Sequence, residues 1–195
     1  AFLEPLTDAP NGRGFFVNCE AALRTWLGAA DQAGLQVAVH AIGDRANAIL
    51  LDIFDSVAAA HGARDRRFRV EHAQHLRPGD IARFGATGII PSMQPYHIAD
   101  DGRWAWKRIG PELTRTTYPF RSLLDGKAKP ALGPEWSVAP LDPLLGITAA
   151  VTRQTLPLLK SGFMRIAEQF GTYAIARWLI GRSWFQRTAT PNSDD

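Results

Sequence analysis

Four short apolar runs, each followed by a stretch of helical periodicity, constrain this chain more than any other feature. "LQVAVHAI" (35–42) leads into "RANAILLDIFDSVAAAHG", and "FRVEHAQ" (68–74) into "PGDIARFGAT". "GIIPSMQP" (88–95) precedes "YPFRSLLDG" after a long interval, and "KPALGPEW" (129–136) precedes "LDPLLGITAAVTRQTL". Strands that alternate with helices in this way build parallel βα units. Four such units form either an open α/β sheet or one half of an eight-stranded barrel. The continuous apolar character of "LQVAVHAI" predicts a strand buried on both faces. A helix over 20–33 precedes it, with Gly34 as its C-cap. Asp44 is the expected N-cap of the second helix, and Pro78 the opening residue of the third. Between the third strand and its helix, a long loop is expected to carry His97, Asp100, Asp101, Trp104 and Trp106.

Composition narrows the function classes. With 195 residues, 46% of them hydrophobic and 21% charged, the chain reads as an ordinary globular protein. No apolar stretch reaches the ~20 residues that span a bilayer. The start, "AFLEPLTDAPNGRG", lacks the basic and apolar regions of a signal peptide. Cys19 is the single cysteine, which excludes an intrachain disulfide and a cysteine metal cluster; a cytoplasmic location is the corresponding expectation. The net charge is +3, and between Arg153 and Arg187 six basic residues face Glu168 alone. That stretch reads as a solvated helix face, and no nucleic-acid partner is expected. Residues 157–195 are expected to form a divergent, basic, helical tail with a frayed end, distinct from a barrel domain over 1–156.

Every strand is expected to finish on a polar group: His40, then Glu71 and His72, then Gln94, then Glu135. In parallel α/β folds the C-terminal strand ends share one face, and that face holds the active site. His40 and His72 are one βα unit apart, which puts them side by side on neighbouring strands. A single histidine at a strand end more often satisfies ordinary hydrogen bonds. Two on successive ends, with carboxylates nearby, suit zinc or another divalent metal. Glu71 alternates with His72 along the strand and is expected to serve structure. His75 is placed at the mouth of the site, and His61, at a helix end, has no assigned role.

"HAIGDRA", "RVEHAQHL", "SMQPYH", "YPFRSLLDGK" and "VAPLDPLLGITAAVTRQ" resemble the amidohydrolase superfamily, and within it the branch that includes N-substituted formamide deformylase. The resemblance runs from about residue 2 to 156. It implies a (β/α)8 barrel, of which this chain is the C-terminal half, with a divalent cofactor, usually zinc, as one or two ions. By position it makes His40 and His72 the metal ligands ending the fifth and sixth barrel strands. Gln94 and His97 fall where relatives line the substrate pocket. Glu135 stands where the family has the aspartate of a Gly-Ser-Asp motif, which binds metal and shuttles the proton, and Pro134 stands where it has serine. The added methylene of glutamate moves that carboxylate by more than ~1 Å, a displacement that can cost ~10²-fold in rate. The family's His-x-His pair and bridging lysine, from strands earlier in the barrel, do not occur in this chain, and the resemblance ends near Leu156.

The resulting expectation is a metal-dependent hydrolase of amide-like, non-peptide C–N bonds in small molecules, present as an incomplete and by itself inactive piece. The alternative is a catalytically inactive remnant acting as a structural or partner-binding α/β protein. Either way, its partner is expected to be a second copy of itself or the missing N-terminal half.

Overall fold

The computed structural model describes residues 1–155; the tail expected over 157–195 lies outside the described residues. The elements run α1 (Glu20–Gln32), β1 (Ala38–Ala41), α2 (Asp44–His61), β2 (Arg69–His72), α3 (Pro78–Thr87) and β3 (Ile90–Met93). They continue with α4 (His97–Asp101), α5 (Ala105–Arg115), α6 (Phe120–Asp125), β4 (Ala131–Leu132) and α7 (Pro143–Thr152). The four strands form one parallel sheet in the order β1-β2-β3-β4. This is the expected α/β class, in an arrangement consistent with part of a (β/α)8 barrel. Among the described residues, no helix is long and apolar enough to cross a membrane.

Local sequence explains most of the element ends. Gly34 takes φ 75°, and the N–H groups of Gly34 and Leu35 donate to the carbonyls of Asp31 and Ala30. These two bonds satisfy otherwise orphaned helix carbonyls in a Schellman turn. Pro78 opens α3, and left-handed Gly88 closes it. The Asp142 carboxylate caps α7 by accepting from the Leu144 N–H at 2.9 Å. At α2 the expectation shifts by one residue. Gly43 occupies the N-cap, while Asp44 lies inside the first turn and accepts from the Leu3 and Arg45 N–H groups.

Three further expectations change. The interval after β3 holds two helices, α4 and α5, where a loop was expected; α5 breaks at Gly110, φ 75°, just before Pro111. β4 is two residues long and ends before Glu135. Within the compact unit that holds the sheet, one face is also more deeply buried than the other. Along the pleat, Val39, Val70 and Pro91 are in register, as are Ala41 and His72. Val70, Ala41, Pro91 and Met93 are buried. On the opposite face Ala38 and His40 are exposed, and Arg69, Glu71, Ile90 and Ser92 are half-buried. The apolar run of "LQVAVHAI" reads as two-sided burial, but the two faces differ in burial here.

The contacts divide the described residues into two compact units: residues 1–94 with 103–133, and residues 95–102 with 134–155. In the first, α2 packs on β1, α1 and α3, and α3 packs on α6. The core holds Leu51, Ile53, Phe54, Val70, Leu76, Phe84, Met93 and Leu123, all fully buried. Phe54 stacks on Phe68 with 4.4 Å between ring centroids. Gly85 permits the close approach of α3 to the end of α6, since a Cβ there would lie 1.7 Å from the Gly126 carbonyl oxygen. In the second unit, α4 meets α7 through Ala99 and Ala149, with Tyr96 packed against them.

One buried charge ties the ends of α1 and α2 to the loop before β2. The Asp31 side chain is wholly buried, and accepts from His61 Nδ1 at 2.7 Å, Arg66 Nε at 2.9 Å and Arg64. Burial pushes its carboxyl upward, but hydrogen bonds from Arg66, His61 and Arg64 outweigh that, so it titrates below the ordinary aspartate value. His61, given no role from sequence, is one arm of this clamp. Removing one member of a buried ion cluster strands the others, here Arg66 with a side chain 7% exposed. Asp31→Ala should therefore lower unfolding stability by about 3–5 kcal/mol in urea denaturation, whereas Asp65→Ala, which removes the exposed partner of Arg67, should change it by less than about 1 kcal/mol.

Candidate functional site

β1 and β2 deliver two imidazoles to the C-terminal edge of the sheet. In register, His40 lies opposite Glu71, and Ala41 opposite His72. Strict alternation would put His72 on the helix-covered face with Val70, away from His40. Instead His72 takes φ 75° and Ala73 φ 44°, a left-handed pair of non-glycine residues that is uncommon in folded chains. The strand thereby ends with the two rings 4.5 Å apart, centroid to centroid, at an interplanar angle of 73°. His40 is exposed and His72 is 8% exposed. The opening run of apolar residues thus ends on histidine where its neighbour does the same.

The remaining strand-end residues divide between the two units. Gln94 follows β3, is 8% exposed, and donates through Nε2 to the Ser92 carbonyl at 3.3 Å. Its Oε1 is buried and accepts from no donor among the described residues. The Glu71 carboxylate pairs with Arg69. In the second unit, His97 begins α4 and its Nε2 lies 2.8 Å from Glu135 Oε2. Glu135 comes three residues after β4, so it belongs to the connection toward α7 and is no strand-end residue. The structure brings His40 to His72, and His97 to Glu135. Trp104 and Trp106, expected in a loop, are exposed at the start of α5, and the Lys107 ammonium lies over the Trp106 ring.

His75, expected at the mouth of the site, is 3% exposed and lies inside the protein. Its Nδ1 is 2.8 Å from Thr117 Oγ1, and the same hydroxyl donates to the Leu113 carbonyl. The hydroxyl proton is committed to Leu113, so Thr117 accepts and His75 Nδ1 carries the hydrogen. Nε2 is then free to accept from Gln74 Nε2 at 3.2 Å. This is a neutral imidazole with both nitrogens used. Sequence reasoning missed Asn47 altogether. It is fully buried in the first turns of α2, and its Nδ2 lies 2.9–3.4 Å from the carbonyls of Ala41, Ile42, Gly43 and His75. The only sequence signal was a polar residue on the apolar face of a helix, and that pattern does not say which carbonyls await it.

Burial lowers the His75 pKa from its ordinary 6.5 to about 4. A histidine depressed in the folded state stays neutral there while the unfolded chain takes up a proton. Its contribution is therefore complete above pH 6.5 and is lost between 6.5 and about 4. Over that window the loss amounts to roughly 3 kcal/mol. Denaturation midpoints measured from pH 7 to pH 4.5 should fall for the wild type, and fall distinctly less for His75→Gln.

The family model described as "Amidohydrolase family" matches residues 3–179. Over 153 residues the chain is 50% identical to "Protein LONG AFTER FAR-RED 3" of Arabidopsis thaliana, which covers 78% of this chain and 26% of that protein. Over 152 residues it is 33% identical to "Putative amidohydrolase YtcJ" of Bacillus subtilis (strain 168), covering 78% of this chain and 28% of that one. Two solved structures are similar, both titled as uncharacterized metal-dependent hydrolases. That from Pyrococcus furiosus has a TM-score of 0.70 at 28% identity and covers 86% of this chain and 36% of its own. That from Pyrococcus horikoshii OT3 has a TM-score of 0.71 at 29% identity and covers 91% of this chain and 36% of its own. The chain thus spans about a quarter of the length of the curated relatives it matches.

Proposed function

Because this chain belongs to the amidohydrolase family, we propose that it supplies part of a divalent-metal site that hydrolyses amide-like C–N bonds in small molecules. The observation that carries the reading is the pair of imidazoles from adjacent parallel strands, 4.5 Å apart at the edge where such folds keep their chemistry. Two imidazoles this close suit one divalent cation such as zinc. His40 and His72 would hold the ion; zinc is the proposed identity, and N-substituted formamides are the substrates that the motif resemblance favours. When bound, the metal supplies Lewis acidity toward the scissile carbonyl and toward water.

The roles of the other residues follow from motif position and from their own surroundings. Glu135 accepts the proton from the attacking water and returns it to the nitrogen as the C–N bond breaks. His97, hydrogen-bonded to Glu135 at 2.8 Å, fixes the direction of that carboxylate. Gln94 offers the buried acceptor Oε1, which matches the N–H of an amide-like substrate. The proposed domain is the barrel portion over 1–156, with the ligands of earlier strands contributed by chain outside this sequence. On this reading the chain binds metal weakly by itself and turns over no substrate.

Zinc titration by calorimetry should give measurable binding to the wild type and at least tenfold weaker binding to His40→Ala, because one of two ligands is gone. N-substituted formamides and simple amides, assayed with added zinc or manganese, should show no metal-dependent turnover near the ~1 s⁻¹ low end of ordinary enzymes. Identical zinc binding in both proteins would overturn the ligand assignment, and turnover above that rate would overturn the incompleteness.

A second reading, that of a partner-binding α/β protein without catalysis, is favoured by the uncovered sheet face, where Ala38 and His40 are exposed and Leu132 is 42% exposed. Sedimentation tests this second reading: self-association at about 10 µM supports a partner-binding face, and a stable monomer counts against it.

A further inference from the structure

The loop after β1 and the loop after β2 are stitched together, and nothing in the metal-ligand reading uses the residues that do it. The His75 N–H donates to the Ile42 carbonyl at 3.0 Å. Asn47 Nδ2 reaches the Ile42 carbonyl at 3.1 Å and the His75 carbonyl at 3.4 Å, and also the carbonyls of Ala41 and Gly43 on either side. Ala41 and Ile42 follow His40 directly in the chain. His75 stands three residues after His72, across the left-handed pair His72-Ala73. Residues held in such sparsely populated conformations persist only when their surroundings fix them.

The far side of the stitch is equally well anchored. The His75 ring is tied through Thr117 to the Leu113 carbonyl at the end of α5. The Tyr118 N–H donates to the Gln74 carbonyl at 2.7 Å, and the Leu76 N–H to the Thr116 carbonyl at 3.3 Å. Residues 74–76 are therefore held from α2 on one side and from residues 113–118 on the other. All these groups belong to the first compact unit.

We infer that Asn47 and His75 are positioning residues that set the separation of His40 and His72, and so the strength with which the pair holds a divalent cation. Neither touches the cation; each acts by fixing the backbone from which a ligand projects. This inference rests on the proposal that His40 and His72 bind metal together. Loss of a residue supporting a ligand typically costs 10–100-fold in metal affinity.

Copper(II) is the probe, because imidazole pairs bind it tightly and its hyperfine pattern counts coordinated nitrogens. Titrations of the full chain at neutral pH would be followed by electron paramagnetic resonance and calorimetry. The wild type should show a two-nitrogen site that His40→Ala reduces to one. His75→Phe, which keeps the ring volume and removes both hydrogen bonds, should weaken binding at least tenfold and lose the second nitrogen. Asn47→Ala should do the same, and His75→Gln, retaining a donor for Thr117, should be intermediate. Ile53→Val, a trim of the fully buried core in α2, is the control for stability loss alone and should keep the wild-type spectrum. If His40→Ala leaves the copper spectrum unchanged, the metal-pair proposal fails. If His40→Ala changes it while His75→Phe binds as tightly as Ile53→Val, the positioning inference fails and the metal pair stands. Should Asn47→Ala not fold, His75→Phe and His75→Gln decide the matter between them.

Discussion

Parallel strand pairing is the constraint from which the rest follows. A parallel pair requires a crossover, here a helix, and each crossover returns the chain to the same end of the sheet. The sequential order β1-β2-β3-β4 therefore puts the C-terminal ends of β1 and β2 side by side. No special interaction is needed to bring His40 near His72 in the plane of the sheet. What pairing alone does not provide is a shared face, because the register sets His40 against Glu71. The left-handed turn at His72 and Ala73 supplies that last rotation, and buried polar groups around it keep it in place.

This division explains what could be read from the sequence. The strands, their parallel order and the ends at Gly34 and Pro78 depend on periodicity and local backbone preference, which a sequence displays directly, and the strand order sets His40 and His72 on neighbouring strand ends. The exchange between Asp44 and Gly43 at the N-cap depends on which residue has the extended backbone, and both are acceptable capping types. Glu135 reads as a strand-end residue because it follows the short apolar run of "KPALGPEW" within three residues. β4 stops after Leu132, and two prolines and a glycine around that point limit the ladder it can form. His75 and Asn47 were illegible for a different reason. Their partners are carbonyls and a hydroxyl far along the chain, and no spacing rule announces them.

The first compact unit therefore contains two kinds of buried polar structure with different work to do. The Asp31 clamp gathers charge at the end of α1 and the loop before β2. There it satisfies groups that the sheet cannot reach, at the end of the strands away from the histidines. The Asn47–His75 network contains no formal charge, since His75 is neutral, and it joins the backbone that follows His40 to the backbone that follows His72. A neutral network can lie next to a cation without competing for it or being repelled. A charged clamp in the same place would either neutralise the ion or expel it.

The two histidines differ in burial, and that difference bears on what the chain needs around it. His72 is nearly enclosed, whereas His40 stands on the uncovered face of the sheet. A metal held between them would have protein on one side and water on the other. Electrostatic interactions with a scissile carbonyl are screened in water and strengthened where water is excluded. On the proposed reading, an ion held there would act on a carbonyl most strongly where water is kept away from the exposed His40 side. In relatives about four times as long as the stretch they share with this chain, further chain is available to cover such a face. The same face carries half-buried Arg69, Glu71 and Ile90, and the Arg69 guanidinium pairs there with the Glu71 carboxylate. Any chain that covered this face would bury His40 as well. Metal binding, substrate enclosure and stability of the sheet would then be coupled, and a chain that loses one of them loses a share of all three.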